Sequence, residues 1–477
     1  MSCLRWLMSH RVVLSLGTGV RGLSVALVVF TVGCGEPLPE VDGDVAFVGV
    51  AVLPMDGAET PTLLENRTVV VTDRRIESIS PTDTVDVAEG VLVVEAEGFY
   101  LMPGLAEMHG HLPGPRLMQV DARNLLFLYV ANGVTTVRGM QGERSQLRLR
   151  GQIARGEVIG PRLFVGSRSL TGSRVTTPDE GEQLVRQYKE IGYDLVKIHE
   201  GLSRDVFDRV AMTATEVGLP FGGHVPDDVG LFRALEMGQL SIDHLDNFVE
   251  ALVPDELQPD TPLGFGNLGR LLEVIDEERL PSIVDATQAA GAWIVPTMVL
   301  WETAFFGGRS ASELGPLRPE LRYMPPETVE QWERAIDGRV AGADLESNRE
   351  VAALRRRILS ALHRAGVPIL LGTDSPQIFS VPGFAMHHEM ALWVEVGMTP
   401  YEVLNTGTRR VAEYFGATDD FGSVAVGHRA DLLLLTANPL DDIGHVAERA
   451  GVMVNGRWLP EADIQARLAG MAQFYGH

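Results

Sequence analysis

The sequence predicts an α/β protein: a (β/α)8 TIM-type barrel carrying a small β-sandwich domain built from the N- and C-terminal segments. Three observations predict it. Short apolar runs alternate with amphipathic helical stretches through the middle of the chain, as a parallel sheet with crossover helices requires. Strand-like text closed by Gly, Pro, Asp or Asn lies on both sides of that middle. The 477 residues, 45% of them hydrophobic, suffice for one large barrel with additions and exclude a disordered chain.

In chain order, residues 1–33 place Arg5, Arg11 and Arg21 before an apolar run at 23–32, the pattern of a signal peptide. That run is too short to cross a ~30 Å hydrocarbon core. Residues 34–43 are polar and read as a tether. Residues 44–103 supply the first part of the sandwich, with strand-like runs at 45–52, 67–71, 75–79 and 91–94. Residues 104–410 form the barrel region. Its eight runs lie at 99–107, 134–138, 162–165, 195–199, 221–224, 241–244, 293–298 and 368–373. Helical periodicity fills 177–191, 203–217 and 350–365. Two long connections, 245–292 and 301–366, are expected to be helical excursions or lids over the strand ends. Residues 411–460 complete the sandwich, and 461–477 end the chain as a helix.

Charge and cysteine content narrow the function. The chain carries 64 acidic and 40 basic residues, a net charge of −24, with no Lys/Arg cluster, which excludes a phosphate-backbone partner. Cys3 and Cys34 are its only cysteines, too few for a disulfide framework.

The chemistry-bearing residues gather at the ends of the predicted strands, where such barrels place their active sites. His109 and His111 close the first run at spacing two, so both imidazoles lie on one side of a strand and can reach one metal ion. His224 closes the fifth run, His244 the sixth, and Asp374 follows the eighth. Each alone has a plain structural reading, as a core hydrogen-bonding group or, for Asp374, a helix cap. Five such placements on one rim point to a metal centre. Lys197 ends the fourth run among apolar neighbours, where a bare ammonium is costly to bury. Spacing leaves three readings open: an ion pair with Glu200, a snorkelling side chain, or a carbamate formed with carbon dioxide. His199 shares the face of Lys197 by strand period and is a substrate-contact candidate, a role behind the metal ligands explaining it about as well. Tyr193 is another from its position near a rim segment, where core packing or helix capping explains it about as well.

The chain resembles the amidohydrolase superfamily, nearest its imidazolonepropionase-like and prolidase-like branch. Beyond the ligands, the resemblance rests on Met102-Pro-Gly-Leu, Gly133-Val-Thr-Thr-Val-Arg138, Arg322-Tyr-Met-Pro-Pro, His387-His-Glu-Met and the ending Gly422-Ser-Val-Ala-Val-Gly with Ala430-Asp-Leu-Leu-Leu-Leu. It implies two divalent metal ions, zinc by default. His109, His111 and Asp374 would hold one, His224 and His244 the other, and Lys197, carboxylated by CO2, would bridge them. It further implies attack by a metal-bridging hydroxide, with Asp374 as the catalytic proton carrier, on the C–N amide bond of a small peptide or N-acyl amino acid. Alternatives are a cyclic amide, lactone or organophosphate substrate, or a ligand-binding lipoprotein with a metal-free barrel. One departure is Gly139-Met140 after Arg138, where many relatives carry an acid. Thr31-Val32-Gly33-Cys34 resembles a bacterial lipobox, which implies lipidation at Cys34 and an exported, membrane-anchored protein facing the periplasm or cell surface. Homo-oligomers are common among such barrels, although no contact surface is legible here.

Overall fold

The computed structural model describes residues 38, 40–114, 121–259, 261 and 263–477. The expected signal peptide, half of the expected tether and Cys34 lie outside them. No described helix is long and apolar enough to cross a membrane.

The middle of the chain forms parallel strands in sequence order. Leu105–Gly110, Val134–Gly139 and Arg162–Val165 make one ladder; Val196–Ile198, Phe221–Gly223, Ser241–Asp243 and Trp293–Val295 make the next. Single bridges, Gly166 to Leu195 and Ile294 to Ile369, continue the order at each end of the second ladder. The eighth expected run is the segment holding Ile369, and it returns to the first strand: Met108 N donates to Leu371 O (2.9 Å) and Asp374 N to His109 O (2.8 Å). The hydrogen bonding therefore runs as two sheets with bridged joins, rather than as one eight-stranded ladder. Expected runs at 195–199, 221–224 and 241–244 shorten to three residues each, and the run at 293–298 stops at Val295, with a helix starting at Met298.

Helices form where the sequence supplies both a stripe and a stop. Helix Pro178–Ile191 begins on the Thr177/Glu180 capping box with Pro at its first position, and ends at Gly192 in the left-handed region. Helix Arg204–Val217 buries Val206, Phe207, Val210, Ala211 and Ala214 at helical spacing. The connection 301–366 contains helices Ala311–Leu314, Pro326–Ala341 and Leu345–Arg364. Connection 245–292 is mostly short 3-10 turns before helix Leu280–Ala290.

Strands from both ends of the chain meet in one mixed eight-stranded sheet. Tyr100–Pro103 lies between Val45–Val52 and Leu432–Leu435, and Val45–Val52 also pairs with Leu64–Thr72 and Leu92–Glu95. The two separate sheets expected of a sandwich are absent from the hydrogen bonding of the described residues. The cause is local. Strand Val45–Val52 changes register after Phe47, with Gly49 at φ 77°; Leu64–Thr72 pairs along both halves, while on the other edge Leu92–Glu95 takes the first half and Tyr100–Pro103 the second. Val45, Phe47, Val69, Leu432, Leu434 and Met453 pack into one core on this sheet.

One glycine lets the sheet hold a large inward side chain. Lys197 pairs with Gly222, and a Cβ on Gly223 (φ 122°) would stand 2.5 Å from Ile198 O and 2.8 Å from Lys197 Cδ. We expect Gly223→Ala to lower stability by about 3 kcal/mol, backbone strain and overpacking acting together, as read by denaturant unfolding; an unchanged midpoint would refute the close approach.

Candidate metal centre

Alternation on the short strands decides what faces inward. Val196 and Ile198 join the outer core, whereas Lys197 points the other way and is 2% exposed. Its Nζ lies 3.4 Å from His109 Nε2 and 3.7 Å from Asp243 Oδ2. Around it the rings of His109 and His244 approach to 4.5 Å between centroids, as do those of His224 and His244. Asp374 joins them: its Oδ1 lies 2.5 Å from His111 Nε2 and 3.5 Å from His109 Nε2. The structure thus brings His109, His111, Lys197, His224, His244 and Asp374 into one cluster. Donor atoms of His109, His244 and Asp374 lie within 4.8 Å of one another, and so do those of His199, Glu200 and His224.

The four expected ligand imidazoles share one arrangement. Nδ1 of His109 lies 2.8 Å from Asp243 Oδ2, that of His111 3.1 Å from Gln141 Oε1, that of His224 2.7 Å from Asp246 Oδ2, and that of His244 2.8 Å from Thr297 Oγ1. A carboxylate only accepts, so Nδ1 of His224 carries the proton and its Nε2 keeps the lone pair, the ligating tautomer; His111 stands between two acceptors, Gln141 Oε1 at Nδ1 and Asp374 Oδ1 at Nε2. Nε2 of His244 is buried with no hydrogen-bond partner among the described residues. Leaving such a nitrogen unpaired costs about 1–3 kcal/mol unless a cation takes its lone pair. This donor set fits divalent metal. His199 has the reverse tautomer. The Glu200 N–H donates into its Nδ1 (2.8 Å), so its proton sits on Nε2 and the ring presents a donor, 4.3 Å from the His224 ring.

Electrostatics keep the rings neutral. Burial, then the charge of Lys197, drives His109 far below its ordinary value, and the same two causes bring His224 down to about 3. Burial and His224 bring His199 to about 2. Lys197 is itself lowered, by burial against the pull of Asp243 and Asp374. Burial works to raise Asp243, but Arg138 and Lys197 outweigh it and hold this carboxylate low.

Several residues the sequence reading missed build this environment. Glu107, pushed up to about 8 by burial, accepts from His109 N (2.9 Å), Thr373 N (2.8 Å) and Thr373 Oγ1 (2.5 Å), tying the first strand to the eighth. Its strand parity with His109 and His111 was the available signal. Arg138 is fully buried; it donates to Met108 O (2.5 Å), Ser241 Oγ (2.9 Å) and Tyr414 Oη (2.9 Å), and pairs with Asp243 (3.2 Å). Asp243 had only its place before His244 to mark it. His244 (φ 64°), Thr297 (φ 47°) and Asp374 (φ 62°) all occupy the left-handed region, a concentration of backbone strain typical of functional sites. The next helix begins only at Phe384, with Gly383 before it, so Asp374 caps no helix among the described residues. Tyr193 is not brought to the cluster; it precedes the strand and packs edge-on against Tyr188 of helix Pro178–Ile191.

A family model described as Amidohydrolase family matches residues 100–459. An imidazolonepropionase from Arthrobacter sp. (strain FB24) is 27% identical over 438 residues, spanning 85% of this chain and 95% of that protein. The solved structure of bottromycin amidohydrolase aligns with a TM-score of 0.69 at 25% identity, covering 90% of each chain. A Xaa-Pro dipeptidase with methionine bound in its active site shares the fold, with a TM-score of 0.61 at 17% identity over 87% of this chain and 99% of that one.

Proposed function

The chain belongs to the amidohydrolase family and is a hydrolase acting on carbon–nitrogen bonds, and from that premise we propose that it cleaves the amide bond of a small peptide or N-acyl amino acid outside the cytoplasm. The observation that carries the reading is the gathering of His109, His111, His224 and His244, each with Nδ1 within 3.1 Å of a side-chain oxygen, around Lys197 and Asp374. These six residues would hold two divalent ions, zinc suiting imidazole and carboxylate donors. Bound ions supply acidified water and polarise a substrate carbonyl.

The chain's own residues do the rest. Lys197, its amine lowered by burial, attacks CO2; a N–C bond forms, one N–H proton leaves to water, and the buried side chain becomes an anion with two oxygens. Asp374 takes the proton of the attacking water on its carboxylate and returns it to the leaving amine nitrogen. His199 donates Nε2–H to the substrate. Glu107 and Asp243 hold His109 from its main chain and its ring. A cyclic amide is the second reading, favoured by the likeness to imidazolonepropionases. The leader pattern at 1–33 and Cys34 support an exported, lipid-anchored enzyme.

The test is amine release from a panel of dipeptides, N-acyl amino acids and cyclic amides, run beside metal analysis. We expect about two ions per chain, turnover lost with a chelator and restored by zinc. Two ions with turnover only on cyclic amides would select the second reading; no metal after reconstitution would overturn both.

A further inference from the structure

His244 is held from two sides by segments that contribute no metal ligand. On its ring side, Nδ1 meets Thr297 Oγ1 at 2.8 Å, and Thr297 precedes helix Met298–Ala304. The first N–H groups of that helix donate to a buried carboxylate, Glu389: Met298 N at 2.8 Å and Val299 N at 2.6 Å. On its main-chain side, Arg355 Nη2 donates to His244 O at 2.6 Å. Arg355 is 2% exposed, its Nε has no hydrogen-bond partner among the described residues, and its guanidinium lies over Trp301, 4.8 Å from the ring centroid. Burial pulls it down to about 10 against Asp246, Glu250, Glu302 and Glu389, so at neutral pH it remains a cation.

A buried cation with so few direct partners is expensive, and the acceptor it reaches is the carbonyl of His244, whose buried Nε2 has no hydrogen-bond partner among the described residues. That carbonyl begins a left-handed stretch, His244 at φ 64° and Leu245 at φ 54°, which a non-glycine backbone holds only under restraint. A charged donor fixes the peptide plane after His244 and therefore the direction of its ring.

We propose that Arg355, from helix Leu345–Arg364 in the long connection, is the positioning residue that sets His244 for the second metal ion. This rests on the metal reading above. The long connection then serves the centre directly, in addition to covering strand ends.

The experiment is zinc competition against a chromophoric chelator on the full-length chain, wild type beside Arg355→Met and Arg355→Lys, with melting of the metal-free proteins in parallel. The expected result is that Arg355→Met binds one of its two zinc ions about 10–100-fold less tightly with the other unchanged, while Arg355→Lys, with one point charge in place of a fork, falls between. A lowered metal-free melting temperature with both zinc affinities unchanged would make Arg355 merely structural and overturn the proposal. Should Arg355→Met fail to fold, Arg355→Lys decides: a weakened second zinc supports the proposal and an unchanged one overturns it. A wild-type chain that takes up no zinc overturns the metal reading itself, and this inference with it.

Discussion

Lys197→Ala is expected to lower kcat/KM on the order of 10⁴-fold, about 5 kcal/mol of transition-state stabilisation, while the protein stays folded. The residue is 2% exposed and its Nζ lies between His109 Nε2 and Asp243 Oδ2, so truncation removes the group joining the two halves of the cluster. It also removes a buried amine, so the fold has no ammonium left to accommodate and the loss should be confined to the centre. Metal analysis should show fewer than two ions per chain, and far-ultraviolet circular dichroism should be unchanged. Full turnover in the purified variant would refute the centre as assigned.

Asp374→Asn is expected to lower kcat about 10³-fold with a much smaller change in KM. An amide keeps the shape of the carboxylate but cannot take a proton from water and hand it on. The oxygen now 2.5 Å from His111 Nε2 could still be presented, so metal content should fall less than in Lys197→Ala. Steady-state kinetics beside metal analysis separate the two roles: a loss of metal as large as the loss of rate would make Asp374 a ligand only.

Much of this was legible from residue order because strand period and strand ends carry the information. His109, His111, Lys197, His224, His244 and Asp374 stand at run ends, and the structure gathers them. Their partners were hidden because they come from other strands. Asp243 meets His109 across the barrel, and the left-handed backbone of His244 turns two successive residues inward, which simple alternation forbids. Tyr193 shows the converse. It was a candidate from its position near a strand end, but the strand begins only at Val196, so nothing in the residue order tells that Tyr193 packs on the helix Pro178–Ile191 instead. The flanking strands are linked into one eight-stranded sheet because Val45–Val52 passes from Leu92–Glu95 to Tyr100–Pro103 along one edge, and no composition rule marks that change of partner.

The pairing of Tyr100–Pro103 with Leu432–Leu435 also fixes a timetable for biosynthesis. A ribosome must deliver the entire barrel between these two strands, on the order of half a minute at ~5–20 residues per second. Until then Tyr100–Pro103 has an open edge on that side. The nascent chain therefore cannot cover that edge until Leu432–Leu435 has been made, and premature termination anywhere before Leu432 leaves it exposed to aggregation or proteolysis.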